Sequence, residues 1–199
     1  MGGRSFRPAG FFVTARVALL RAVNVGGVQV SMADLQRVAE GLGFKGVRTL
    51  LQSGNVLFDG GRASGAVVES RFEEATQRLL GLSTDCIVRD GAEWTAVELA
   101  NPFPQEALDA PGFLHTVFLK GPPRDDGERR LSEAVRGRER TRVVGAHAYV
   151  FYPDGSGRSK LTLPVIERAL GARGTARNWN TVRRIGVLIG ARAPPEKGG

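Results

Sequence analysis

The order of the apolar segments constrains the fold of this chain more than any other feature of its sequence. Residues 16–23 form an apolar run of strand type, and residues 31–42 then place leucine and valine at helical spacing. Two short segments, 47–51 and 55–59, flank a turn, and a second helical segment leads to a strand at 84–89. This βαββαβ order predicts a ferredoxin-like unit, with both helices packed on one face of an antiparallel sheet.

The same order then restarts in the second half of the chain. Residues 113–119 alternate as a strand, residues 125–136 have a helical pattern, and 140–152 predict a hairpin. A helix, an extended segment and a last helix follow. The sequence therefore predicts an α+β protein of two sequential ferredoxin-like (βαββαβ-type) subdomains with antiparallel sheets, at 14–104 and 111–190. At 199 residues, the chain fits one domain or two small ones that share a core.

Several local signals predict where helices begin, end and face. Ser31 followed by Asp34 resembles a capping box at a helix N-terminus. Gly81 and Gly171 predict helix ends, because glycine readily adopts the left-handed conformation that closes a helix. The spacing of the second helix predicts that Leu79 faces the core.

Composition excludes some classes of protein and site. No apolar run approaches the roughly 18 residues that a membrane span needs, and the N-terminus lacks the features of a signal peptide. The chain has one cysteine, Cys86, which excludes an internal disulfide and favours a cytoplasmic location. We expect Cys86 to be a buried structural thiol. His115 and His147 lack partners at metal-ligand spacing, so we expect no metal and no cofactor. His115 alternates with apolar residues, which favours a core histidine with its hydrogen bonds satisfied.

Charge is unevenly distributed between the two halves. Residues 1–110 carry 11 Lys and Arg against 12 Asp and Glu, whereas residues 111–199 carry 17 against 8. This asymmetry favours an anionic partner for the second half, either nucleic acid or a phosphate-bearing small molecule. An arginine-biased composition is the alternative explanation, because only four of the 28 basic residues are lysine.

Four segments combine small residues with amide, hydroxyl or cationic side chains. They are LLRAVNVGG (19–27), LLQSGNVLF (50–58), YPDGSGRSKLT (152–162) and TARNWNT (175–181). In this order, and over residues from about 15 to 190, the chain resembles the bacterial family named domain of unknown function 1697. Ala22 and Val23 stand where the family usually has Gly-Ile, and Leu50 stands where it usually has Tyr. The resemblance implies two α/β subdomains and no established activity.

Seven residues of the first two segments are candidates for ligand binding. Arg21 precedes a turn with two glycines that can present backbone N–H groups to an anion, and the QSGN turn offers amide and hydroxyl groups. Both turns are also explained by backbone requirements alone. The seven candidates are Arg21, Asn24, Gly26, Gly27, Gln52, Ser53 and Asn55.

The second half adds six candidates around two loops. Lys160 follows a glycine- and serine-rich loop that enters a helix, an arrangement that suits phosphate or carboxylate. A flexible loop with solvated charges is the alternative explanation. Asn178 has the position of an N-cap, and the neighbouring polar residues can complete the same anion site as Lys160. The six candidates are Ser159, Lys160, Arg177, Asn178, Asn180 and Thr181.

The favoured hypothesis is a protein that binds an anionic ligand through these second-half loops. An alternative is a metal-independent enzyme acting on a small anionic substrate, although no catalytic residue can be assigned and Ser53 lacks an evident general base. A further alternative is a structural or interaction module without a ligand. The sequence predicts no membrane partner and does not address the oligomeric state.

Overall fold

The computed structural model describes residues 15–21, 30–50 and 54–190. The first half begins with a strand and ends with a strand, as the periodicity predicted. Its elements are β1 (Ala15–Leu20), α1 (Met32–Gly41), β2 (Lys45–Leu50), β3 (Asn55–Asp59), α2 (Gly65–Leu80) and β4 (Cys86–Asp90).

Two helices connect the halves, and the second half then repeats the same order before a last helix. These elements are α3 (Gly91–Leu99), α4 (Pro104–Asp109), β5 (Leu114–Leu119), α5 (Gly127–Ala134), β6 (Arg140–Val144), β7 (His147–Phe151), α6 (Leu163–Leu170), β8 (Gly174–Asn178) and α7 (Trp179–Gly190). A short 3₁₀ helix lies at Ser156–Arg158, between β7 and α6.

Each half forms one four-stranded antiparallel sheet. The strand order is β2-β3-β1-β4 in the first sheet and β6-β7-β5-β8 in the second. In both, the first strand of the half lies between the third and the fourth, which is the ferredoxin-like arrangement. The predicted fold class is therefore confirmed. The predicted boundaries at 14–104 and 111–190 stay a prediction.

The core is divided into three apolar clusters. Helices α1 and α2 cover the outer face of the first sheet, and α5 and α6 cover the outer face of the second. The inner faces of both sheets join α3, α4 and α7 in one central cluster, which contains Trp94 and Trp179. Both faces of each sheet are therefore covered, and the two halves share their largest core.

Strand register relates the two halves residue by residue. Leu19 pairs with Asn55 in the first sheet, and Phe118 pairs with His147 in the second. Because β1 and β5 hold the same place in their sheets, Asn55 and His147 are equivalent residues at the start of the third strand of each half.

The fourth strands, β4 and β8, show the same equivalence. Val17 pairs with Arg89 in the first sheet, and Thr116 pairs with Arg177 in the second. Arg89 and Arg177 are therefore equivalent, and each is separated by one residue, Asp90 or Asn178, from the start of a helix of the central layer, α3 or α7.

Most local predictions are confirmed. Ser31 and Asp34 form the predicted capping box. Gly81 and Gly171 end α2 and α6 in the left-handed conformation, with φ of 64° and 69°. Cys86 is buried, and burial raises the pKa of its thiol.

One predicted core position is wrong. Leu79 is 56% exposed, whereas Leu80 packs against the outer core, so the buried stripe of α2 has shifted by one residue in its last turn. Phe113, the first residue of the predicted strand at 113–119, precedes β5, which begins at Leu114, and is 43% exposed. Residues 22 and 23 of the first predicted strand lie outside the described residues.

The described part of the chain contains no helix long and apolar enough to cross a membrane. Within these same residues, no three His, Cys, Asp or Glu side chains are grouped so that they could hold a metal ion.

Candidate functional site

Arg177, which belongs to the segment at 175–181, lies buried between the two sheets and contacts residues of the segments at 19–27 and 50–58. Its Nε donates to Oδ1 of Asn55 at 2.6 Å, and Nη1 donates to Oγ1 of Thr175 at 2.7 Å. Its Nη2 donates to the carbonyl oxygen of Leu20 at 3.1 Å. Burial lowers the pKa of Arg177 to about 10, so the guanidinium remains charged at neutral pH. These donors are engaged by acceptors of the protein itself.

Arg89 makes the equivalent connection in the opposite direction, although it is not among the residues predicted from the sequence. Its Nη2 donates to the carbonyl oxygen of Leu119 at 2.7 Å, and Nε donates to Nε2 of His147 at 3.3 Å. Leu20 and Leu119 are the last residues of β1 and β5. The arginine of β4 thus binds the end of β5, and the arginine of β8 binds the end of β1.

One sequence signal could have identified Arg89. Arg89 precedes Asp90, the N-cap of α3, in the same way that Arg177 precedes Asn178. The two dipeptides, Arg-Asp and Arg-Asn, occupy the same place in the two halves, between the fourth strand and the helix that follows it.

His147 accepts the hydrogen bond from Arg89 only while its imidazole is neutral. Burial, together with the nearby Arg89 charge, lowers the pKa of His147 to about 4. The other histidine, His115, differs from expectation. Its side chain has a hydrogen bond with the backbone of Phe113, but its Nδ1 is buried without a hydrogen-bond partner among the described residues, so the prediction of a satisfied core histidine is met only in part.

Arg21 ties the end of β1 to α6. Its Nε and Nη2 donate to the two carboxylate oxygens of Glu167, both at 2.9 Å. Glu167 also accepts from the backbone N–H of Gly174 at 2.9 Å, at the start of β8. This bidentate pair gives Arg21 a role in joining the halves.

Most side chains of the segment TARNWNT (175–181) make contacts that stabilise the fold. Oδ1 of Asn178 accepts from the backbone N–H of Thr181 at 3.0 Å and from its hydroxyl at 2.9 Å, which confirms Asn178 as the N-cap of α7. Trp179 is buried in the central cluster. Asn180 is exposed, near Gly112.

Ser159 and Lys160 lie in a loop that leads into α6. Ser159 Oγ accepts from the backbone N–H of Leu161 at 2.9 Å and donates to Glu139. The hydroxyl of Tyr152 donates to the carbonyl oxygen of Leu161 at 3.0 Å. Lys160 itself is exposed. The loop is therefore held by its serine and tyrosine, and it presents the lysine to solvent.

The remaining candidates of the first half cannot be placed. Asn24, Gly26, Gly27, Gln52 and Ser53 lie outside the described residues. Of the four segments, the described residues of three meet across the halves, at Leu20, Asn55 and Arg177. Lys160 lines two surface hollows among the described residues, and Arg177 lines neither of them.

Lys160 belongs instead to a surface with excess positive charge, which we call the basic trough. It consists of three adjoining hollows of about 440, 230 and 510 Å³. The first two share Arg136 and Lys160, and the last two share Glu139. Its cationic residues are Arg130, Arg136, Arg138, Arg140, Arg142, Arg158, Lys160 and Arg168, and its carboxylates are Glu106, Glu133, Glu139 and Asp154.

Four of these cations have ion-pair partners: Arg130 with Asp126, Arg138 with Asp154, Arg140 with Glu106 and Arg142 with Glu128. The pair with Arg138 lowers the pKa of the Asp154 carboxyl. Lys160 and Arg168 form neither an ion pair nor a hydrogen bond with another described side chain. The trough therefore has cations available for an external anion.

Comparison with known proteins gives a family and a fold. Residues 13–149 match the family described as protein of unknown function (DUF1697), so the match includes the first two segments and ends before the last two. No curated protein matches the chain. A solved structure of a conserved bacterial protein from Streptococcus pneumoniae is similar, with a TM-score of 0.68 and 21% identity over 89% of this chain and 99% of that chain. The chain belongs to the DUF1697 family.

Proposed function

We propose that this protein binds a phosphate-bearing anion in the basic trough, with Lys160 at the centre of the contact. The observation that carries the proposal is the place of Lys160. It is exposed at the junction of two hollows, with Arg136 shared between them and with no ion-pair partner in the described part of the chain. A lysine ammonium is a compact charge that suits a phosphate oxygen.

The structural roles of the other second-half candidates also favour this location. Arg177 donates to protein acceptors, and Asn178 and Thr181 bond to each other at the start of α7. Ser159 positions the loop through Leu161. Among the six second-half candidates, Lys160 is the charged group that faces solvent.

The test is binding of tripolyphosphate, measured by calorimetry and by the shift in thermal unfolding at about 50 mM salt. We expect saturable stabilisation by tripolyphosphate that weakens steeply as salt approaches about 200 mM. The Lys160→Ala/Arg168→Ala double variant should bind at least about tenfold more weakly. Lys45→Ala is the matched control, because it removes an exposed lysine from the first half and should leave binding unchanged.

Two results would contradict the proposal. Absence of tripolyphosphate binding at millimolar concentration is one, and equal binding by wild type and the Lys160→Ala/Arg168→Ala variant is the other. If one small metabolite stabilised the protein saturably without dependence on Lys160, the alternative of a metal-independent enzyme with a site elsewhere would replace it.

A further inference from the structure

The three hollows of the basic trough follow one another along the second half. The hollow between α5 and α6 contains Arg130 and Arg168, the middle hollow contains Arg138 and Arg158, and the last extends along β6. A single phosphate metabolite would occupy one hollow and leave the cations of the other two unused. A row of cations suits a ligand that carries charges at regular intervals.

The walls of the trough are also unlike those of a small-molecule pocket. Such pockets are mostly apolar and enclose most of the ligand surface. Here the three hollows are open to solvent, and charged side chains, among them Arg136, Glu139 and Lys160, make up much of their lining. The trough can therefore neutralise an extended polyanion better than it can enclose a compact one.

Only part of the protein surface is accessible to such a ligand. Ferredoxin-like RNA-binding modules stack bases on an open sheet face, but both faces of each sheet are covered here. The outer edge of the second sheet remains available within the described residues. This edge is β6, where Arg140 and Arg142 are exposed and alternate with less exposed residues.

An exposed aromatic ring lies beside the middle hollow. Gly155 lines this hollow, and Cε1 of Phe113 is 3.7 Å from the position that a Cβ on Gly155 would occupy. Phe113 is 43% exposed, although it is a large apolar residue. Aromatic rings next to cationic grooves stack on the bases of single strands, whereas duplex bases are stacked on one another and are not accessible.

We infer that the ligand of the basic trough is a single-stranded nucleic acid. Its phosphates lie along the cations from Arg168 to Arg142, and one base stacks on Phe113. This inference rests on the proposed function, since it names the source of the phosphate that Lys160 contacts.

The experiment uses the full chain and fluorescence polarisation with labelled single-stranded oligonucleotides of about 4 to 16 nucleotides, a matched duplex and unlabelled tripolyphosphate as competitor. Affinity should rise with oligonucleotide length until the trough is filled, and tripolyphosphate should compete. The plot of log K against log salt should be linear, and Arg142→Ala should reduce its slope by about 0.7.

Phe113→Ala separates stacking from charge. We expect this variant to bind single-stranded oligonucleotides about tenfold more weakly or worse, with tripolyphosphate binding unchanged. Leu99→Ala is the matched control, because Leu99 is 83% exposed on α3 and outside the trough. Unchanged thermal unfolding of both variants excludes loss of the fold.

The outcomes distinguish this inference from the proposed function. If tripolyphosphate binds through Lys160 but affinity does not increase with oligonucleotide length, the inference is wrong and the proposed function stands. The same holds if the duplex or anionic phospholipid vesicles bind more tightly than the single strand, or if Phe113→Ala has no effect. If no phosphate-bearing ligand binds, both are wrong.

Discussion

The buried arginines Arg89 and Arg177 occupy equivalent positions but have different partners. The Nε of Arg177 donates to the amide oxygen of Asn55, which does not titrate, whereas the Nε of Arg89 donates to the imidazole of His147. Both guanidiniums lose most of their hydration, and burial lowers the pKa of each. Their hydrogen bonds therefore have to offset a desolvation cost that surface arginines do not incur.

Replacing Arg177 with methionine should destabilise the protein strongly. Arg177→Met keeps the unbranched stem of the side chain but removes the guanidinium, which leaves the oxygens of Asn55, Thr175 and Leu20 without this donor. We expect a loss of about 2–4 kcal/mol in the free energy of unfolding. Urea unfolding provides the measurement. Arg184→Met, at an exposed position of α7, is the control and should stay within about 0.5 kcal/mol of wild type. An equal effect of the two substitutions would contradict the role given to Arg177.

His147 should make stability depend on pH. Its pKa falls from 6.5 to about 4 on folding, so the unfolded chain binds the proton more readily. The stability that neutral His147 contributes is therefore fully present above about pH 6.5 and is lost as pH falls towards 4. His147→Asn installs the residue found at the equivalent position, Asn55, which retains an oxygen acceptor for Arg89 and does not titrate.

The comparison of wild type with His147→Asn isolates this proton. We expect wild type to lose more stability than the variant between pH 6.5 and 4, by on the order of 2 kcal/mol, in urea unfolding at a series of pH values. The other histidine, His115, has a pKa that burial also lowers, but it is present in both proteins and its effect cancels. Parallel pH profiles of the two proteins would contradict the assignment.

At the scale of the elements, the sequence predicted what is determined locally. The capping box at Ser31 and the glycine at Gly171 act within one helical turn of their own positions, so their residue types were sufficient. The strand and helix order followed from hydrophobic periodicity for the same reason. Leu79 shows the limit, because burial in the last turn of a helix depends on what lies above it, which is not encoded in the spacing.

Contacts between elements of different halves could not be predicted in this way. Arg177 is 122 residues away in sequence from its partner Asn55, and Arg89 is 58 residues away from its partner His147. Which strand edges meet depends on how the two sheets share the central layer. For the same reason, sequence patterns do not distinguish Arg177, which faces the interior, from Lys160, which faces the trough.

At the scale of the whole molecule, the central layer determines whether the halves behave as one unit. It contains apolar residues of both inner sheet faces, and α3 packs on α7 through a hydrogen bond from Nε1 of Trp94 to the carbonyl oxygen of Val182 at 3.1 Å. Separating the halves would expose both inner faces to water. The resulting loss of buried apolar area favours a single cooperative unit over two independent domains.

The two tryptophans of the chain allow this to be tested, because Trp94 and Trp179 both lie in the central layer. Tryptophan fluorescence therefore reports on the junction of the halves, whereas far-ultraviolet circular dichroism reports on all helices and strands. We expect the two urea transitions to coincide, with one midpoint and one slope. Arg177→Met should lower the midpoint of both signals together, because it weakens a contact on which both halves depend. A fluorescence transition at lower urea than the circular dichroism transition would instead mean that the halves separate before either unfolds, as expected of two autonomous subdomains at 14–104 and 111–190.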